Sequence, residues 1–163
     1  MKPLLFAILI VLACTFCIAN SNISKTDRMP SKFDQFDSSM VIHLYYGGGM
    51  HYSSENIYIR FDSCIRIDMD HGHDRVTKFA MTKELRTKVL SIMLINNAEY
   101  IKQSEKESFA HDKATKSICV ELNKRKDFCV SSGSSTEIAE KSKVDFGNVW
   151  DELEKFSLEG GKK

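Results

Sequence analysis

The sequence predicts an α+β domain, a mainly antiparallel sheet of two β-hairpins and an N-terminal strand packed against two amphipathic helices. Three observations predict it. Two stretches alternate apolar and polar residues around short turns, two others repeat apolar residues at helical spacing, and the elements run strand, hairpin, short strand, helix, hairpin, helix. Consecutive hairpins build antiparallel sheets, so the helices are left to cover one face.

The chain opens with Met1-Lys2-Pro3 and then Leu4 to Ala13, ten apolar residues in a row. That run is too short for a membrane span of about 20 residues and has the layout of an export signal. Two processing routes fit. Cys17-Ile18-Ala19 places small residues three and one positions before a cut after Ala19, whereas Val11-Leu12-Ala13-Cys14 resembles a bacterial lipobox in which Cys14 becomes the lipidated first residue. Residues 1–19 are thus read as a signal peptide, and the working protein as secreted, periplasmic or extracellular, or lipid-anchored if Cys14 is retained.

Residues 20–39 are polar, carry one proline and lack a sustained period, so they read as a flexible leader. Asn22-Ile23-Ser24 is a glycosylation sequon, informative only in a eukaryotic source. A single domain over 40–158 follows, and 159–163 read as a frayed tail. Met40 to Tyr46 is a strand ending at Gly47-Gly48-Gly49. Ile57 to Phe61 and Ile65 to Met69 form a hairpin about the turn Asp62-Ser63-Cys64, with Ile57, Ile59, Phe61, Ile65, Ile67 and Met69 facing inward.

Val76 to Met81 supplies a further short strand. Thr82 then stands as N-cap of a helix whose apolar positions are Leu85, Val89, Ile92 and Met93, with Asn96-Asn97 as its stop. Residues 102–114 form a polar, mobile loop. In the second hairpin Ile118, Val120, Leu122, Phe128 and Val130 face the core about the turn Asn123-Lys124-Arg125. Ser131 to Ser135 is a connector. Phe146, Val149, Trp150, Leu153 and Phe156 mark the C-terminal helix, with Trp150 as its main anchor.

Charge excludes one class of partner. Lys2 is the only charged residue in 1–19, so signal removal leaves a formally neutral chain, and its nearest basic run is Lys124-Arg125-Lys126. Nucleic-acid binding needs a concentrated positive surface that this chain lacks.

Three constellations remain. Facing Val120 with Phe128 sets Cys119 opposite Cys129, within reach of a disulfide in an oxidising compartment, although the same register opposes Glu121 to Asp127. Cys64 is then the odd thiol. Asp70, His71, His73 and Asp74, next to Asp68, form the densest set of metal-ligand types, but their spacing fails the EF-hand pattern and no third zinc ligand is placed. Tyr45, Tyr46, Gly47, Gly48, Gly49, Met50 and Tyr52 suit a recognition loop better than a phosphate cradle, because no helix starts after the glycines.

The strand running into Gly47-Gly48, the hairpin, the helix opened by Met81-Thr82-Lys83-Glu84-Leu85 and the later β-pair loosely resemble small exported bacterial domains, including the emfourin type of metalloprotease inhibitor. The likeness spans about residues 40–157 and is one of layout. The leading expectation, resting on the glycine loop with Tyr45, Tyr46, Met50 and Tyr52 as contacts, is a non-enzymatic module that binds a protein or envelope component, an inhibitor being one such case. The rival is a small metal-dependent hydrolase using the Asp68–Asp74 cluster. No cofactor is implied, and a membrane partner only through lipidation at Cys14.

Overall fold

A computed structural model describes residues 31–49, 53–105 and 112–160, and the packed unit begins at Lys32. The signal segment with Cys14, the sequon at Asn22, and Met50 and Tyr52 of the glycine loop lie outside the described residues. Six strands, β1 (Val41–Gly47), β2 (Ser53–Arg60), β3 (Ser63–Asp70), β4 (His73–Ala80), β5 (Thr115–Leu122) and β6 (Arg125–Ser132), form one sheet. Its order is β4-β3-β2-β1-β5-β6, with every neighbour antiparallel. Helices α1 (Lys83–Ile95) and α2 (Lys143–Gly160) complete the α+β fold, and among the described residues no helix is long and apolar enough to cross a membrane.

Both helices are where the periodicity puts them. Thr82 Oγ1 accepts a hydrogen bond from the Leu85 backbone N–H at 3.3 Å, satisfying a donor that the first turn leaves unpaired. Asn96 ends α1, returning its side-chain amide to the Ile92 carbonyl, and Asn97 turns the chain with φ 50°. Val89, Ile92 and Met93 of α1 and Phe146, Val149, Trp150, Leu153 and Phe156 of α2 are buried together with Ile42, Leu44, Ile57, Ile59, Ile118 and Val120 of the sheet.

Three sequence expectations are corrected. The strand expected over Val76–Met81 is longer, and the stretch before it is no open loop. His71 and Gly72, at φ 48° and 84°, make a two-residue turn that pairs β3 with β4 along their full length. The leader 20–39 is not polar spacer to its end, because Phe33 and Phe36 are buried in the core. The tail at Glu159 and Gly160 belongs to α2, where a Cβ on Gly160 would lie 2.3 Å from the Phe79 ring.

A fourth correction has the widest effect. The β2–β3 link is two residues, Phe61-Asp62, instead of a turn through Cys64, so Ile57 faces Arg66 and Ile59 faces Cys64 across the pair. Side chains alternate along a strand, so this change in turn length inverts β3. Cys64 and Arg66 point to the helices, while Ile65, Ile67 and Met69 turn to the opposite face.

The second hairpin keeps its expected faces, with Cys119 directly across from Cys129 and their sulfurs 2.02 Å apart. A bulge between Val120 and Glu121 moves the register so that Glu121 meets Lys126, which removes the repulsive pairing with Asp127. The turn is shorter than expected, only Asn123 and Lys124, both at positive φ. Asp127 instead forms an ion pair with Lys32 at 2.7 Å. Closing this short loop restricts the unfolded chain, so reducing the disulfide, or the double change Cys119→Ser and Cys129→Ser, is expected to remove about 2–3 kcal/mol of stability. Urea unfolding with and without reductant measures it.

Candidate interaction surface

The antiparallel register sorts the sheet into two faces. Ile42, Leu44, Ile57, Ile59, Ile118 and Val120 line the face under the helices. The other face is built from the alternate residues, and no helix among the described residues packs on it. Across β1, β2, β3 and β4 it presents the rows His43, Tyr58, Ile65, Lys78 and Tyr45, Asn56, Ile67, Val76. The Cys119–Cys129 bridge extends the first row onto β5 and β6.

The centre of this face is aromatic and ordered by stacking. The His43 and Tyr58 rings lie parallel, with centroids 4.4 Å apart and planes 2° from each other. His43 Nε2 and Asn56 Oδ1 are 3.2 Å apart, which fixes the imidazole orientation. The Arg60 guanidinium stands 5.8 Å from the Tyr58 ring centre. Tyr45 leans along the strand over Gly47, where a Cβ would sit 2.6 Å from its hydroxyl oxygen. Ile65 and Ile67 are half-buried, and Met69 and Val76 are exposed at 42% and 61%. Large apolar side chains left open on a sheet face are the informative exception on a soluble surface.

The expected recognition loop is divided by this geometry. Tyr45 belongs to the open face, but Tyr46 is opposite Glu55 and Lys116 on the helix side and packs against the core. Gly48 and Gly49 turn the chain at φ 85° and 72°, conformations that other residues rarely adopt. Neither tyrosine is fully buried.

The expected metal cluster does not assemble. Asp70, His71, His73 and Asp74 sit at the tip of the β3–β4 hairpin, all exposed, with His71 Nδ1 and Asp70 Oδ1 2.5 Å apart. Strand alternation puts Asp74 on the open face and His73 on the other. Among the described residues no three His, Cys, Asp or Glu side chains are arranged to hold a metal ion. An open cleft of about 700 Å³ between β4 and the helices is floored by Phe79, Leu85 and Phe156, with Lys78, Thr82, Glu84, Lys88 and Glu159 around it.

Sequence reasoning missed one buried polar cluster. Arg66, turned inward by the short β2–β3 link, bonds Glu55 at 2.8 Å, Asp68 at 2.8 Å and Ser157 of α2 at 3.1 Å. Glu55 Oε1 is buried without a hydrogen-bond partner among the described residues. Burial pushes the Glu55 carboxyl up to about 7; Arg66 and Lys116 oppose the rise, and Glu154 and Asp68 add to it. Burial likewise pushes the unpaired Cys64 thiol up to about 12, which keeps it unreactive. The parity of β3, set by one residue of turn length, is the only sequence signal that would have found Arg66.

Because the folded pKa of Glu55 lies above the unfolded value, the folded state holds the extra proton between about pH 4.5 and 7. Stability is then expected to fall as pH rises through that window, by on the order of 2 kcal/mol once residual solvent contact is allowed for. Glu55→Gln should flatten that slope in thermal unfolding from pH 5 to 8; an unchanged slope would assign it elsewhere.

No protein-family model matches the chain, and no curated protein matches it.

Proposed function

We propose that this chain is an exported, non-enzymatic domain that binds another protein through the open face of its sheet. The observation that carries the reading is the inverted β3, which brings Ile65, Ile67 and Met69 beside the His43–Tyr58 stack and Tyr45. Rigid aromatics with an aliphatic surround are the usual anchors of protein interfaces, since they bury area at little entropic loss. Arg60 and Lys126 stand at one end of this face, with Glu121 between them, so the fitting partner presents apolar side chains bordered by acidic ones. The disulfide fits an oxidising compartment, and the N-terminal signal pattern agrees with export.

A photo-crosslinking residue placed at position 58 or 67 should join one protein of the exported fraction, and the same residue at Ile95, exposed at 77% on α1, should not. The purified partner should then lose about tenfold or more in affinity on Tyr58→Ala. Equal labelling from position 95, or an unchanged affinity, would remove the open face as the site.

A further inference from the structure

We propose that β4 pairs with β4 of a second copy of this chain, in an antiparallel register centred on Val76. The two edges of the sheet are treated differently. At β6 the chain covers one end of the edge, where Gln103 accepts from the Ser131 N–H at 2.8 Å and donates to the Ser131 carbonyl at 2.7 Å. Among the described residues β4 has no such cover. It is eight residues long, pairs with β3 without a bulge, contains no proline and leaves six of its residues exposed, Val76 among them. An edge of that length presents a row of backbone groups against which another extended strand can pair.

The side chains select the partner and the register. A two-fold axis perpendicular to the sheet places each residue opposite one that faces the same way, so the axis must pass through a residue rather than between two. Centring on Asp74, Arg75 or Lys78 opposes like charges at the axis. Centring on Thr77 sets Val76 against Lys78 and Arg75 against Phe79. Only the Val76 register sets Asp74 of each copy against Lys78 of the other, twice over, with the two valines meeting between them. Within one chain these two charges face apolar neighbours, Met69 across from Asp74 and Ile65 across from Lys78. Neither forms an ion pair among the described residues. A second β4 offers each of them an opposite charge directly across the strand pair, whereas within its own chain Lys78 has the attraction of Asp62 without a direct ion pair.

The pairing would join two sheets into one of 12 strands, twice the six of a single copy, with both open faces on the same side. It does not depend on what that face binds. A seven-residue edge contact is smaller than a permanent interface, so its dissociation constant is expected to be about micromolar or weaker.

Sedimentation velocity on the processed protein, from about 1 to about 500 μM, tests it. The wild type should dimerise. Asp74→Lys and Lys78→Asp should each weaken the dimer by about tenfold or more, and the double reversal Asp74→Lys with Lys78→Asp should return it to within about threefold of wild type. All these sites are exposed, and circular dichroism confirms that each variant folds. A wild type monomeric throughout, a dimer indifferent to the single reversals, or single losses that the double reversal does not repair would each overturn the proposal; the last two would point to another face or to a different strand as the occupant.

Discussion

Arg66→Met is expected to destabilise the domain by about 3–5 kcal/mol near pH 8, and by clearly less near pH 5. At the higher pH the substitution leaves Glu55 and Asp68 facing the helix side of the sheet without the guanidinium that now bonds both within 2.8 Å. It also breaks the link to Ser157 on α2. The Glu55 side chain is only 13% exposed, so its charge is poorly hydrated once Arg66 is gone. Arg66 holds the Glu55 pKa down, so its loss raises that pKa further, and at pH 5 the carboxyl escapes the penalty by taking a proton. Urea titrations of wild type and variant at the two pH values give the comparison. Adding Glu55→Leu should recover much of the loss at pH 8, because removing both partners no longer strands a charge. A loss of equal size at both pH values would mean that Arg66 acts through packing alone.

That arginine also marks where the sequence could be read and where it could not. Both helices were legible because Val89, Ile92, Met93 and the Phe146-to-Phe156 set repeat over several turns, and Thr82 is an N-cap by chemistry. The Cys119–Cys129 bridge was legible because Ile118, Val120, Phe128 and Val130 fix which way the hairpin faces, even though the bulge at Glu121 was not foreseen. β3 failed for a physical reason. Its alternation is strong, but an alternating strand has two parities of similar appearance, and only the turn decides between them. A turn of two residues sends Arg66 inward and three apolar residues outward, against the usual preference of each type. The candidate site is therefore the open sheet face and not the glycine loop, with Tyr45 common to both and with Ile65, Ile67 and Met69 on that face where the alternation alone predicts core.

The leader offers the second large effect. Phe33→Ala is expected to lower stability by about 3–5 kcal/mol, as for a fully enclosed aromatic side chain, although the residue lies in a stretch with no periodic pattern. Phe33, Phe36 and Met40 are buried at 0%, 8% and 1% exposure, and the segment is held at the β5–β6 hairpin from both ends. Lys32 bonds Asp127 at 2.7 Å and stands 5.4 Å from the Phe128 ring centre, and Ser39 Oγ accepts from the Asn123 N–H at 3.1 Å. The bulge that frees Asp127 from Glu121 thus also supplies the carboxylate that anchors the segment. Two isolated phenylalanines give no period to detect, so their burial follows from the tertiary structure alone. Denaturant unfolding should show the midpoint of Phe33→Ala shifted downward at an unchanged slope, whereas Lys32→Ala, which removes a partly exposed ion pair, should shift it by about 1 kcal/mol or less. A Phe33→Ala loss no larger than that of Lys32→Ala would detach the segment from the core and return the start of the domain to Met40.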